Sequence, residues 1–360
     1  MNRRLFLRTT GLALFGAALP LHAAARRGKV LVVLFQRGAV DGLNMIVPYG
    51  ERAYAASRPT IAIDRKDVLD LDGFFGAHPS LQSLMPFWKD RSLAVVHAAG
   101  SPDATRSHFD AQDFMEAGTP GVKSTKDGFM ARALSGTKGS APRAVALTAS
   151  LPRIFAGAPD AIAAANLAKF RNDGATKVFA AMYPEAFAAA RVLGSVNATG
   201  TPLQQVATLI KANVGVEVAF VETNGWDTHA GQNGPLANNL KRMSDGIAAF
   251  AKSLGSRMND VVLVTTSEFG RTVKENGNRG TDHGHGTVML VLGGATRGGK
   301  VHGAWPGLER EQLFEGRDLA VTTDFRDVFA EVLSKHLGVG EMGRVFPGYA
   351  PKAMNVLQTG

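Results

Sequence analysis

Thr281-Asp282-His283-Gly284-His285-Gly286-Thr287 gathers two imidazoles and a carboxylate just ahead of the apolar run Val288–Leu292. Two further polar clusters precede it, Asn224-Gly225-Trp226-Asp227-Thr228-His229 and Thr266-Ser267-Glu268-Phe269-Gly270-Arg271. Each follows an apolar run, Val216–Val221 and Val261–Val264. A fourth cluster, Gln36 to Asn44, carries Asp41 and follows Lys29–Phe35. Ligands of parallel α/β sheets collect at the carboxyl ends of strands. Carboxylates and imidazoles together suit a hard or borderline divalent cation. The four clusters therefore predict one shared metal site, with Asp41, Asp227, His229, Glu268, Asp282, His283 and His285 as candidate ligands. A pair of divalent ions needs about that many; one would activate a water or hydroxyl nucleophile and the other would stabilise a leaving oxygen. Zinc, manganese, magnesium and calcium are all compatible at this level.

Each ligand candidate also has a plainer role. Asp41 in a glycine-flanked turn is a natural turn former. Asp227 and His229 suit a loop capping the helix beyond them, and Asp282 with His283 suits the closing of a turn. The argument for a site is their joint placement at strand ends.

Ser107 is the candidate nucleophile, in Thr105-Arg106-Ser107-His108-Phe109-Asp110. It stands where a helix begins, with Asp110 three residues on, so its hydroxyl would lie in the positive potential of a helix N-terminus. His108 or a metal would assist its deprotonation. The same position is equally that of a plain N-cap. Arg271 or Arg106 would hold an anionic group, or pair with a carboxylate.

The elements that must position these groups are strands alternating with helices. Lys29–Phe35 is a continuous apolar run, the pattern of a strand covered on both faces. Leu81–Trp88 reads as a helix, Leu93–His97 as a strand, Ser107–Ala117 as a helix, Ala144–Leu147 as a weaker strand and Pro202–Ala212 as a helix. Leu236, Leu240, Met243, Ile247, Phe250 and Leu254 form one helical stripe. Gly293-Gly294 and Gly298-Gly299-Lys300 read as hairpin turns, and Thr323 as the cap of a last helix bearing Phe325, Val328, Phe329, Val332 and Leu333. Alternation of this kind predicts a three-layer α/β/α sandwich with a mostly parallel central sheet.

Residues 1–25 read as a leader. Arg3-Arg4, a short apolar stretch from Leu12 to Leu21 and Ala23-Ala24-Ala25 give a charged region, an apolar region and a cleavage site in order. The paired arginines favour the twin-arginine route, with its export machinery as a partner and the periplasm or another exported location as destination. Ten residues are too few for a membrane span, so none is expected in the mature chain. Residues 26–360 are expected to form one domain, with the alanine-rich stretch of about 155–200 as a helical insertion.

The chain of 360 residues has no cysteine, which excludes thiolate metal sites, iron–sulfur clusters and cysteine nucleophiles. Its net charge of +9 is scattered, with no basic run interleaved with aromatics, so nucleic acid is not an expected partner. Gly294-Ala295-Thr296-Arg297-Gly298-Gly299-Lys300-Val301 has Walker-like spacing but ends in valine and precedes no evident helix. There is no G-x-S-x-G elbow.

As a set, Phe35–Asn44, Arg106–Asp110, Asn224–His229, Ser267–Thr272 and Gly280–Gly284 resemble a bacterial family of twin-arginine-exported, sulfatase-like proteins of unknown function. That family in turn looks distantly related to the alkaline phosphatase superfamily. The resemblance implies an alkaline-phosphatase-like fold, with Asp41 as a first-strand metal ligand and Ser107 as nucleophile. It also implies Asp227 and His229 as a ligand pair and His283 or His285 as the final ligand. Glu268-Phe269 departs from the superfamily's Asp-His pair, and the C/S-x-P-x-R sulfatase signature is absent. The expected function is hydrolysis of a small anionic phosphate or sulfate ester, with serine or a metal-bound water as nucleophile. The alternative is a non-catalytic metal- or anion-binding relative.

Overall fold

A computed structural model describes residues 28–135, 142–167 and 192–358. The expected leader, residues 1–25, lies outside the described residues, as do residues 168–191 of the alanine-rich stretch. What is described of that stretch includes a strand, Ile162–Ala163, rather than helix alone.

The main strands are β1 (Val30–Gln36), β5 (Leu93–Gly100), β6 (Ala144–Ala146), β7 (Ile162–Ala163), β8 (Val218–Thr223), β9 (Val261–Thr266), β10 (Thr287–Gly293), β11 (Val301–His302) and β12 (Thr323–Asp324). They form one sheet in the order β11-β5-β10-β9-β1-β8-β6-β7, with β12 also on β5. Strands β2 (Ile46–Val47), β3 (Leu69–Asp70) and β4 (Gly76–Ala77) make a small separate sheet that the residue pattern did not announce. In the large sheet β9, β1, β8, β6 and β7 pair in parallel, and among the described strands β10 alone runs antiparallel to its neighbours.

The helices are α1 (Gly42–Met45), α2 (Arg52–Ser57), α3 (Met85–Lys89), α4 (His108–Ala117), α5 (Phe129–Ser135), α6 (Pro202–Ala212), α7 (Asn233–Leu254), α8 (Phe325–Lys335) and α9 (Met342–Val345). They cover both faces of the sheet. Along β1 the side chains alternate: Val30, Val32 and Leu34 pack with α6 and α7, whereas Leu31, Val33 and Phe35 pack with α5 and α8. Burial on both faces makes the run continuously apolar. The expected three-layer α/β/α sandwich with a mostly parallel sheet is the observed fold. The six-residue stripe of α7 is wholly buried, each side chain contributing about 1.5–3 kcal/mol.

Several boundaries differ from the sequence reading. Leu81–Trp88 is split, with a 3-10 segment at Pro79–Leu84 before α3, because Pro86 lies in the first turn of α3. The cap of α8 is Asp324, whose side chain accepts from Arg326 N, rather than Thr323. The glycines after β10 do not close a hairpin: β11 pairs with β5, on the far side from β10.

His97, inside β5, is fully buried and carries a consequence for acid stability. Its Nε2–H donates to the Ile46 carbonyl at 3.0 Å and its Nδ1 accepts from Ala98 N at 2.8 Å, so protonation must break the second bond. Burial lowers its pKa to about 4, and His78, again through burial, is lowered to about 4. The unfolded chain takes up these protons near pH 6.5 and the folded one only near 4. Stability is therefore complete above about pH 6.5 and falls as pH drops through that window, by up to about 3 kcal/mol per histidine. Urea unfolding across this range should show the slope, and His97→Gln should flatten it; an unchanged slope would discount the role of this residue.

Candidate metal centre

The carboxyl ends of β1, β8, β9 and β5 share one edge of the sheet. Because β10 is antiparallel, its amino end lies at that same edge, and this is why the histidine-rich turn precedes its strand. A ribbon fixes the turn: Arg271 and His283 form an antiparallel bridge, Thr272 N donates to Asp282 O and Gly284 N to Gly270 O. Glycine is required where this ribbon closes, since a Cβ at Gly284 would lie 2.3 Å from the Arg271 carbonyl carbon. At the β1 turn Gly38 has φ +114°, and a Cβ there would lie 2.8 Å from Asp227 N.

Three imidazoles and one carboxylate meet at this edge. His108 Nε2 is 3.0 Å from His283 Nε2, and His229 Nε2 is also 3.0 Å from it. Asp227 Oδ1 lies 2.9 Å from His229 Nε2 and 3.2 Å from His283 Nε2, while its Oδ2 is 3.5 Å from His108 Nε2. His108, Asp227 and His283 form a group able to hold a metal ion.

The ring nitrogens are fixed by what stands behind them. His283 Nδ1 meets the Arg106 carbonyl at 2.8 Å, an acceptor only, so it must carry the proton. His108 Nδ1–H donates to Glu268 Oε1 at 2.8 Å and His229 Nδ1–H to Asp282 Oδ1 at 2.9 Å. The Nε2 atoms of His108 and His229 thus each face His283 Nε2 and Asp227, and Arg271 Nη1 lies 3.4 Å from His229 Nε2. Histidines whose remote nitrogen donates to a carbonyl or carboxylate are oriented as metal ligands are. Imidazole nitrogens beside a carboxylate oxygen suit zinc or another late divalent ion better than magnesium or calcium, which prefer oxygen alone.

Charge is arranged around this cluster. Burial alone would raise the Asp227 carboxyl, but Arg271, at 2.6 Å, with His229 and His108 behind it, holds the pKa below its usual value. The hydrogen bond to Glu268 raises His108. Burial lowers His283 and favours its neutral ring. The bond from His229 lowers Asp282.

Several sequence assignments move. Asp41 is not in the cluster. It is fully buried, its Oδ1 accepts from Leu43 N and Asn44 N, and its Oδ2 pairs with Arg58 and Gln232. Its acceptor sites are taken, which corrects its reading as a ligand. Glu268 Oε1 is likewise saturated: Gly38 N, Gln112 and His108 all donate to it. It stands behind His108 rather than at the centre, as Asp282 stands behind His229. His285 turns away at a bend and stacks on Phe314 at 4.1 Å. Phe269, in the place of an expected histidine, packs on the rings of His108 and His283.

His108, read from sequence as an assistant to Ser107, belongs with the four converging side chains. Its signal was its place in the first turn of a helix at a strand end. Ser107 is the exposed N-cap of α4, its hydroxyl accepting from Asp110 N at 3.4 Å. Arg271 is buried against Asp227, and Arg106 is paired with Asp318 and Glu315; each cation is already neutralised by a carboxylate.

Glu268→Gln should test the arrangement behind His108. The amide still accepts from one donor but loses the charge, and metal affinity should fall about 10–100-fold with the fold retained. Competition titration against a chromogenic chelator reads this directly; unchanged affinity would remove Glu268 from the site.

Residues 204–348 match the family model DUF1501, described as a protein of unknown function. No curated protein matches the chain. Among solved structures it is similar to the C-terminal periplasmic domain of EptC from Escherichia coli, in complex with Zn. That similarity covers 74% of this chain and 73% of that one, at 11% identity and a TM-score of 0.38. The lipoteichoic acid synthase LtaP from Listeria monocytogenes is similar over 75% of this chain and 66% of its own, at 9% identity and a TM-score of 0.37. An alkaline phosphatase superfamily protein from Vibrio parahaemolyticus is similar over 74% and 60%, at 12% identity and 0.35. Among the described residues no helix is long and apolar enough to cross a membrane.

Proposed function

We propose that the chain is an exported, metal-dependent hydrolase of phosphate or sulfate esters, built on one metal centre of His108, His229, His283 and Asp227. The observation that carries the centre is the set of three imidazoles whose Nδ1 protons are committed elsewhere and whose Nε2 atoms converge beside Asp227. The ester-hydrolase part of the reading rests on the motif resemblance, and its exported location on the leader pattern of residues 1–25. A divalent ion held there would act as a Lewis acid toward an ester oxygen and ease deprotonation of a nucleophile. Arg271 positions Asp227, Glu268 positions His108 and Asp282 positions His229. Ser107, exposed and adjacent to His108, is the protein hydroxyl proposed as nucleophile.

A second reading, a non-catalytic metal-binding relative, is favoured by one observation. Asp41 and Glu268 Oε1 are both saturated by protein donors, so the ligands for a second ion are not assembled. The experiment that decides begins with elemental analysis of the exported protein beside an Asp227→Asn/His229→Ala variant. It continues with turnover of aryl phosphate and aryl sulfate esters by the metal-loaded protein. Metal lost in the variant together with turnover supports the hydrolase. Metal without turnover, and with Ser107→Ala binding it equally, supports the binding protein.

A further inference from the structure

The Walker-like stretch that the site leaves unused lies at the opposite edge of the sheet. It runs from the end of β10 to the start of β11, and with Asp90-Arg91-Ser92 ahead of β5 it borders a cleft of about 870 Å³. No helix follows it, so it is not a phosphate loop of the Walker type. Its backbone N–H groups at Gly294, Thr296, Arg297, Gly298 and Gly299 are all spent on backbone carbonyls. The side chains differ. Arg91, Arg297 and Lys300 all line the cleft, all are exposed, and none has a carboxylate partner among the described residues. Asp90 is the acidic residue lining the cleft, and it accepts from Ser92.

Two independent observations show more than a solvated basic surface. Thr296 lines the cleft, is 2% exposed, and its hydroxyl has no partner among the described residues. Arg91 holds φ +64°, a left-handed conformation that costs an arginine strain and would cost glycine none. Its side chain lies over Gly299, where a Cβ would meet Arg91 Cγ at 3.1 Å. The turn keeps a strained arginine where a glycine would fit, and packs the loop's glycine beneath it. Among the described residues, three cations, one carboxylate and a threonine with an unsatisfied buried hydroxyl line this cleft, a balance that favours anions. Guanidinium groups recognise phosphate and sulfate oxygens in pairs.

We propose that this cleft binds a soluble ligand carrying two or more neighbouring phosphate or sulfate groups. It is a site separate from the metal centre, since Arg91 precedes β5 whereas His108 follows it. A cleft of about 870 Å³ admits more than a single anion, and three cations along it can neutralise a ligand with several charges.

The test is calorimetric titration of the full chain in EDTA, which removes metal from the other edge. Tripolyphosphate and sucrose octasulfate are the probes, with inorganic phosphate as the single-charge comparison. Arg91→Gly/Lys300→Ala keeps the left-handed turn and removes two exposed cations, so its melting temperature should match the parent. Binding of either polyanion should weaken at least about tenfold in this variant, the loss of more than one charge-assisted hydrogen bond. It should be unchanged in Asp227→Asn/His229→Ala. Inositol hexakisphosphate beside inositol hexasulfate, matched in scaffold and number of groups, then assigns phosphate or sulfate. The proposal is overturned if neither polyanion binds the parent, if the cleft variant binds as well as the parent, or if the metal-site variant loses binding.

Discussion

The Asp227→Asn/His229→Ala variant should retain no measurable divalent metal under conditions in which the parent chain holds about one equivalent. The expectation follows from spacing. Tetrahedral zinc with Zn–N near 2.0–2.1 Å sets its ligand atoms about 3.3 Å apart. The cluster places His108 and His229 Nε2 each 3.0 Å from His283 Nε2, and Asp227 Oδ1 3.2 Å from it. Arg271 balances Asp227 and lies 3.4 Å from His229 Nε2, but His108 and His283 Nε2 at 3.0 Å repel one another unless a metal ion or a proton lies between them. Protonation of His108 and metal binding compete for the same lone pair, so affinity should weaken as pH falls.

The size of the effect follows from sharing the binding energy among the ligands. Four-ligand zinc sites contribute about 10–16 kcal/mol, or about 3 kcal/mol per ligand, so removing two costs about 6 kcal/mol. At 1.4 kcal/mol per decade that is about 10⁴-fold in affinity. Asparagine rather than alanine is the informative choice at position 227. Arg271 is wholly buried and donates to Asp227 Oδ1, and alanine would leave its guanidinium without that acceptor. Mass spectrometry of the metal content, with a melting curve to confirm folding, gives the result. Full retention of metal by a folded variant would show that the ligands lie elsewhere.

The edge of the sheet that carries this cluster was legible because parallel strands buried on both faces leave continuous apolar runs. The polar residues that end such runs stand out. Asp227 and His229 follow such a run and His283 precedes one, and the alternation of runs and helical stripes implies the three layers. The direction of β10 was not legible, since an apolar run looks the same in either sense. Its antiparallel course is what brings a turn preceding the strand to the same edge. His283 and His285, two residues apart, would share a face in a regular strand. A bend at His285 separates them, and no residue pattern announced it. Asp41 was misread for a different reason. Its partner Arg58 lies 17 residues on, in a loop after α2, and Gln232 lies 191 residues on. Neither periodicity nor spacing links such positions. Glu268 stands at the strand end as expected, but the donors it accepts from two other segments, the β1 turn and α4, are a property of the packed structure alone.

Arg58→Met should destabilise the fold by about 3–5 kcal/mol, the cost of leaving a buried charge without its partner. Asp41 and Arg58 are both fully buried and meet at 2.7 Å. The same guanidinium donates to the carbonyls of Thr272 and Val273 and to Asn44 Oδ1, which Tyr54 also reaches. Gln232 extends the network, donating to Asp41 and accepting from Thr228 and Thr281. Thr228 precedes His229, Thr281 precedes Asp282, and Thr272 follows Arg271. The buried pair thus anchors the loops that carry the proposed metal cluster. Asp41→Asn/Arg58→Met removes both charges, so thermal or urea unfolding should show it recovering much of the stability lost in the single variant. Metal affinity should not recover with it, because the carbonyls of Thr272 and Val273 still lack their donor. Recovery of stability without recovery of metal binding is the signature of a positioning network. Recovery of both would assign the pair to the fold alone.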